Sequence, residues 1–182
     1  MKKFFTFFFG LIGWKSVLNV EIPSKCVFCV APHTSNWDFI LGIIFYKSMG
    51  GTIHFLIKRE WFFFPMNVIF KSLGGIPVDR SKKSFISEQM VTLFHSNAYF
   101  RLAITPEGTR KKSAKWKTGF YYIALNAGVP ITLAYIDYSK KEIGVIKNFY
   151  PSGNEKQDIE EIKQHYLHIR AKHPKKFIIS NE

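Results

Sequence analysis

The sequence predicts a single α/β domain with a mixed or largely parallel β-sheet flanked by helices. Short apolar runs that are typical of buried strands alternate with longer stretches of helical apolar spacing along most of the chain. Glycine, proline and small polar residues separate these runs and mark turns. The chain has 182 residues, which is enough to bury a sizeable core within one domain.

The first half of the chain contains three predicted strands and two predicted helices. An apolar run over residues 26–30 predicts a buried strand that Pro32 ends. Helical spacing from about Trp37 to residue 49 predicts a helix, and the pair of glycines after residue 49 ends it. The next predicted elements are a strand over 52–57, a helix that ends near Lys71 and a strand over 76–78.

The second half continues this alternation of helices and strands. A surface helix is predicted over residues 84–97, and residues 151–154 start a final charged helix that runs to about Lys172. Between them lie a strand over 101–105, a helix over 116–126 that ends near Gly128, and a hairpin or strand pair over 131–137 and 143–149.

The chain carries a large excess of positive charge. Lysine and arginine number 26 against 13 acidic residues, so the formal net charge is +13. Such an excess predicts an anionic partner, which could be nucleic acid, an anionic membrane, or a phosphorylated or CoA-type substrate. The sequence has no paired Cys/His ligands and no aromatic RNA-binding signature, so we expect no nucleic-acid partner.

Cys26 and Cys29 form a C-x-x-C string inside the first predicted strand. Residues three apart on a strand face opposite sides of the sheet, so these thiols cannot bridge or share a metal ion. We predict two small buried thiols in a reducing environment. No clustered ligand pattern elsewhere predicts a metal site.

Two aromatic clusters predict membrane contact. Residues 4–14 are mostly apolar and lie between lysines, but the run is about half the roughly 20 residues of a bilayer span, so we predict an interfacial membrane-binding segment over residues 1–22. A signal peptide is less consistent with the sequence, which lacks a small-x-small cleavage site, and a helix packed on the domain's own core stays an alternative. Residues 61–64 are four consecutive aromatics, which cannot all face inward.

His33 and Asp38 are five positions apart, at the junction of the first strand and the first helix. On one helix their side chains would diverge by roughly 140°, so the pair needs a bend between them. A helix cap at Ser35 or Asn36 would leave His33 on the loop and place Asp38 in the first turn. A carboxylate–imidazole hydrogen bond would then fix the tautomer and leave the other ring nitrogen as a general base.

Three further charged segments also follow predicted strands. Lys58 follows the strand over 52–57, Arg80 follows the strand over 76–78, and residues 107–110 follow the strand over 101–105. Loops at the carboxyl ends of strands form the usual ligand crevice of an α/β sheet. The pattern predicts that the sheet gathers these segments and His33 at one edge.

These segments resemble, in order and spacing, the four sequence blocks of the glycerolipid acyltransferases, whose best-known members are the lysophosphatidic acid acyltransferases. The blocks are the pair of His33 and Asp38, then residues 74–80, 106–110 and 128–132, and the resemblance covers residues 27–134. It departs from the family at Pro32, where Asn is frequent, and at Trp61, where an aliphatic residue is usual. The resemblance implies an acyltransferase domain over residues 23–182.

The resemblance implies transfer of a fatty acyl group to a hydroxyl group, with acyl-CoA or acyl carrier protein as the donor substrate and no cofactor. His33 suits the base that takes the hydroxyl proton, and Asp38 would orient it and stabilise the imidazolium. Ser35 lies near His33 but is placed to cap the helix, so we expect direct attack by the acceptor rather than an acyl-enzyme.

A phosphorylated acceptor needs cationic partners. Arg110 is the foremost candidate because a guanidinium binds phosphate through two hydrogen bonds. Arg80 could bind phosphate or instead pair with Asp79 or Glu107, while Glu107 would orient basic groups or loop backbone and Gly108 would permit the turn. The predicted substrate-binding set is Lys58, Arg80, Glu107, Gly108, Thr109 and Arg110.

We therefore expect a membrane-associated acyltransferase, peripheral or monotopic on the cytoplasmic face of the cell membrane. Its foremost acceptor is lysophosphatidic acid, which would give phosphatidic acid; a lysophospholipid, an amino-acid-containing lysolipid or a glycolipid precursor is the alternative. A non-catalytic basic lipid-binding module is the alternative from another class of protein. The presence of His33, Asp38, Glu107 and Arg110 argues against that alternative.

Overall fold

The computed structural model describes residues 7, 9–79 and 83–179, which form a seven-stranded sheet flanked by helices. The strands are β1 (Lys15–Leu18), β2 (Lys25–Ala31), β3 (His54–Lys58), β4 (Gly75–Val78), β5 (Phe100–Ile104), β6 (Ile131–Asp137) and β7 (Glu142–Phe149). Their order is β1-β7-β6-β2-β5-β3-β4. Strands β2 to β6 are mutually parallel, whereas β7 is antiparallel to β6 and parallel to β1. The predicted α/β class with a mixed, largely parallel sheet is confirmed.

Five helices have both ends within the described residues. They are α1 (Asn36–Ser48), α2 (Met66–Ser72), α3 (Lys83–Ser96), α4 (Gly119–Ala127) and α5 (Glu155–Gln164). Helix α4 ends, as predicted, at Gly128, whose φ of 65° is left-handed and suits glycine. The Val129 N–H then donates to the Ala124 carbonyl over 3.0 Å, so the chain turns directly into β6.

The core lies on both faces of the sheet, and β2 at its centre contributes to both. Val27 and Cys29 pack in the cluster that includes residues of α3, α4 and α5, whereas Cys26 and Phe28 pack on the other face with residues of α1. The two cysteines are therefore on opposite faces and both are free, as predicted. Burial raises the pKa of the Cys26 thiol to about 11 and that of Cys29 further, so neither thiol ionises at neutral pH.

The final helix is shorter than the sequence predicts. It ends at Gln164 rather than near Lys172. The reason is that the next residues serve separate contacts: Tyr166 is fully buried and donates its hydroxyl to the Cys29 carbonyl over 2.7 Å, while the Arg170 carbonyl accepts from the Tyr138 N–H over 2.9 Å. In a continuing helix the Arg170 carbonyl would point along the helix axis, so it could not accept from Tyr138.

An edge strand, β1, lies within residues 1–22 and was not predicted. It pairs with β7 from Lys15↔Glu142 to Leu18↔Val145. Ahead of it, Phe9 is buried against the rings of Trp14 and Phe45, while the side chain of Leu11 stays exposed. Within the described ranges, no helix is both long and apolar enough to cross a membrane.

Candidate active site

The loop that follows β2 carries His33 and leads into α1. The Ser35 hydroxyl caps the helix by accepting from the Trp37 N–H over 3.2 Å, and the Asp38 carboxylate accepts in return from the Ser35 N–H over 2.8 Å. This reciprocal arrangement is a capping box, and it fixes both the start of α1 and the position of Asp38. The predicted bend, the cap at Ser35 and the first-turn position of Asp38 are confirmed.

Asp38 is the most heavily hydrogen-bonded group of the site. Its Oδ2 accepts from the N–H groups of Thr34 over 2.7 Å and Ser35 over 2.8 Å, and lies 3.3 Å from Nδ1 of His33. Its Oδ1 accepts from the Tyr138 hydroxyl over 2.6 Å. Burial alone would raise the pKa of Asp38, but the bonds from His33, Tyr138 and the two N–H groups outweigh it and lower the pKa. The carboxylate is therefore ionised at neutral pH.

The His33 imidazole is placed between a buried carboxylate and solvent. Its side chain is 18% exposed, against 2% for the Asp38 side chain. Because Nδ1 faces the carboxylate, the tautomer with the proton on Nδ1 is favoured, and Nε2 is left with a lone pair. The predicted contact between imidazole and carboxylate is thus confirmed as geometry, while the catalytic role of His33 stays a prediction.

Glu107 joins the loop after β5 to the loop after β2. Its Oε1 accepts from the His33 N–H over 2.8 Å, so it orients loop backbone, one of the two roles predicted for it. Its Oε2 is buried and has no hydrogen-bond partner among the residues that the structure describes. Burial raises the pKa of Glu107. Gly108 follows with φ of 63°, a left-handed conformation that favours glycine, and a Cβ there would lie 2.7 Å from the flexible end of the Lys117 side chain.

Arg110 lies at the amino-terminal end of α1. Its guanidinium is exposed and donates to Oδ1 of Asn36, the first residue of that helix. Thr109 accepts through its hydroxyl from the Lys111 N–H over 3.1 Å and so shapes the same loop. The structure therefore brings His33, Asp38, Glu107 and Arg110 together at the exits of β2 and β5, which are neighbouring strands.

Lys58, another predicted substrate-binding residue, is not part of this contact network. Lys58 is exposed at the end of β3, on the far side of β5 from β2, where its backbone is in register with Val78 of β4. Arg80 lies outside the described residues. The carboxyl ends of β3 and β4 lie at the same end of the sheet as that of β2, because all three strands run in the same direction.

Tyr138 and Asn36 belong to the site but were missed by the sequence reasoning. Tyr138 follows β6, whose carboxyl end lies at the same edge as that of β2, so a search of every strand exit would have included it. The sequence predicts Asn36 only as a possible helix cap, and nothing in its local sequence indicates a contact with Arg110. Within residues 7, 9–79 and 83–179, no group of three His, Cys, Asp or Glu side chains could hold a metal ion.

Comparison with known protein families agrees with this geometry. The family model described as Acyltransferase matches residues 18–136, which is more than half of the chain. The chain therefore belongs to the acyltransferase family and is an acyltransferase. The predicted resemblance to the glycerolipid acyltransferases is confirmed.

A solved structure shares the fold. It is the crystal structure of the 1-acyl-sn-glycerophosphate (LPA) acyltransferase PlsC from Thermotoga maritima, which is 20% identical to this chain with a TM-score of 0.62. The match covers 90% of this chain and 76% of that chain. None of the curated proteins matches the chain.

Proposed function

We propose that this acyltransferase moves a fatty acyl group from a thioester donor, acyl-CoA or acyl carrier protein, to the hydroxyl of a lysolipid. Lysophosphatidic acid is the foremost acceptor, and phosphatidic acid is then the product. The observation that carries the proposal is the contact between the partly exposed His33 imidazole and the buried Asp38 carboxylate, 3.3 Å apart at a strand exit. PlsC, which has the same fold, is described as an LPA acyltransferase.

In the proposed reaction, Nε2 of His33 takes the proton of the acceptor hydroxyl as its oxygen attacks the thioester carbonyl carbon. The Asp38 carboxylate stabilises the imidazolium that forms. The tetrahedral intermediate then collapses with cleavage of the C–S bond, and the imidazolium returns the proton to the thiolate that leaves. Ser35 supports direct attack because its hydroxyl already caps α1 through the Trp37 N–H.

The charge beside His33 and Asp38, here called the dyad, supports a phosphorylated acceptor. Arg110 is exposed next to the amino terminus of α1, and the exposed lysines at positions 111, 112 and 115 follow it. A helix amino terminus and a guanidinium both favour an anion. An acceptor phosphate would replace Asn36 as the partner of Arg110 and hold the hydroxyl near His33.

Exposed aromatic side chains support contact between a membrane and the end of the sheet where His33 lies. The protein would then be peripheral or monotopic at the cytoplasmic face of that membrane. Trp37 after β2, Trp61, Phe63 and Phe64 after β3, and Phe85 at the start of α3 are all at least half exposed. Such side chains enter the headgroup region, while a net charge of +13 attracts anionic lipid. A lysolipid acceptor would then reach His33 without leaving the interface.

The test is an acceptor panel with one labelled acyl-CoA and one labelled acyl carrier protein donor. The acceptors are lysophosphatidic acid, a zwitterionic lysophospholipid, an amino-acid-containing lysolipid and a glycolipid precursor. We expect transfer to lysophosphatidic acid at the highest kcat/KM, and none in the same preparation of His33→Ala. A preference for another acceptor would refute the assignment to lysophosphatidic acid, and transfer to none of them would refute the proposed function.

A further inference from the structure

Among the described residues, Tyr138 is the one tyrosine whose hydroxyl bonds to the Asp38 carboxylate. It lies beyond residues 18–136, which the family model matches. Its hydroxyl donates to Oδ1 of Asp38 over 2.6 Å. The other oxygen of that carboxylate faces His33 and the backbone N–H groups of Thr34 and Ser35. The two oxygens of Asp38 therefore have separate partners.

Tyr138 is held in place by residues that come before and after the part of the chain that the family model matches. Its ring packs edge-on against Trp14 with 5.1 Å between the centroids, and the ammonium of Lys172 lies 5.9 Å from its centroid. Its backbone N–H donates to the Arg170 carbonyl over 2.9 Å. These contacts fix the direction of the hydroxyl, so the segments outside the family match act on Asp38.

We propose that Tyr138 is a positioning residue that holds the Asp38 carboxylate in the orientation in which Oδ2 faces Nδ1 of His33. A buried carboxylate oxygen without a donor is costly, so without Tyr138 the carboxylate would rotate or draw in another partner for Oδ1. Rotation would take Oδ2 away from the imidazole, so the tautomer with the proton on Nδ1 would no longer be favoured. The inference rests on the proposed function of His33 and extends the dyad to a third residue.

The first test compares Tyr138→Phe with a matched control, Tyr121→Phe. Tyr121 also donates its hydroxyl to a buried carboxylate, Asp158, over 2.8 Å, but between α4 and α5. Losing a bond to a charged group lowers turnover by about 10- to 100-fold if that bond acts in the reaction. We expect this loss in kcat for Tyr138→Phe with both KM values within about twofold, and no loss in kcat for Tyr121→Phe. Unchanged kcat in a folded Tyr138→Phe would overturn the proposal.

A second test separates positioning from a general effect on the fold. In an Asp38→Ala background, Tyr138→Phe should cause no further loss of kcat, because the group through which Tyr138 acts is gone. Equal losses in the two backgrounds would overturn the proposal, since a residue that only stabilises the fold would act independently of Asp38. Thermal unfolding of each variant verifies that the proteins compared are folded.

The closing experiment needs no catalytic activity, so it distinguishes failure of this proposal from failure of the proposed function. Proteins with 15N-labelled histidine are examined by NMR at increasing pH until the histidine signals no longer change, with His33→Ala used to assign the signal. We expect His33 in the wild type to be mainly the tautomer with the proton on Nδ1, and Tyr138→Phe to shift it toward a mixture. The same tautomer population in both proteins would overturn the role of Tyr138.

Discussion

Replacing Asp38 with asparagine removes the charge behind His33 while keeping the shape of the side chain. The amide oxygen is expected to take the place of Oδ2, where the N–H groups of Thr34 and Ser35 lie 2.7 and 2.8 Å away. The NH2 group would then face Tyr138, whose hydroxyl can rotate to accept instead of donate. We therefore expect Asp38→Asn to fold with the loop and α1 in place.

The cost to stability follows from those two backbone bonds. A hydrogen bond to a charged group contributes about 1.5–3 kcal/mol and a neutral one about 0.5–1.5 kcal/mol, so losing the charge costs about 1 kcal/mol for each bond and roughly 2 kcal/mol for the pair. In a domain of this size, this lowers Tm by roughly 4–8 °C. The pKa of Asp38 is lowered by folding, and an unfolded aspartate titrates near pH 3.9. The wild type should therefore exceed Asp38→Asn in free energy of unfolding by the full amount above about pH 4. This difference should shrink as the pH falls through the lowered pKa of Asp38 in the folded protein.

The cost to turnover should exceed the cost to stability. Two unit charges 4 Å apart attract by about 4 kcal/mol at an effective dielectric constant of 20, and Asp38 lies 3.3 Å from the imidazole that becomes charged. Loss of most of that stabilisation predicts a fall in kcat of roughly 10²- to 10³-fold. The assay is steady-state acyl transfer to lysophosphatidic acid, alongside urea unfolding at pH 7 and pH 3. A variant with lowered Tm but wild-type kcat would refute the reasoning and leave Asp38 as a capping residue only.

Three further predictions concern the loop, the acceptor and the membrane. Glu107→Ala should lower kcat about tenfold or more because the His33 N–H loses its acceptor. Glu107→Gln can still accept that bond and should retain most activity, so equal losses in the two variants would contradict this role. Arg110→Lys keeps the charge but loses the planar fork, so it should lower kcat/KM about 10- to 150-fold through the acceptor KM; an effect on the donor KM alone would assign Arg110 to donor binding. Phe64 is 81% exposed, and Phe64→Ser should weaken flotation with anionic vesicles about tenfold. The control is Tyr150→Ser, which follows β7 at the opposite end of the sheet and should leave flotation unchanged. Equal effects of the two substitutions would refute membrane contact at the end of the sheet where His33 lies.

Much of the fold could be predicted because its central strands are buried on both faces. Such strands read as continuous apolar runs, as in β2 and β6, and the helices between them have clear apolar spacing. Strand β1 has four residues, is mostly exposed and gains its partner only from β7, so its own sequence carries no strand signal. The predicted end of α5 was wrong because the contacts of Tyr166 with the sheet, and not local helix propensity, decide where the helix ends.

The site could be predicted where its contacts are local. His33, Ser35 and Asp38 lie within six positions, so helix geometry and capping rules are enough to place them. The contact between Glu107 and His33 joins residues 74 positions apart, and that between Tyr138 and Asp38 joins residues 100 apart. These depend on the order of strands in the sheet, which an alternating pattern of strands and helices does not specify.

The most direct test of the account is the turnover of His33→Ala with lysophosphatidic acid and labelled acyl donor, measured beside its Tm and its binding to anionic vesicles. The account predicts a loss of at least about 100-fold in kcat with folding and vesicle binding unchanged, because the imidazole acts on the acceptor proton alone. A folded, vesicle-bound His33→Ala that turns over within a few-fold of the wild type would contradict the account.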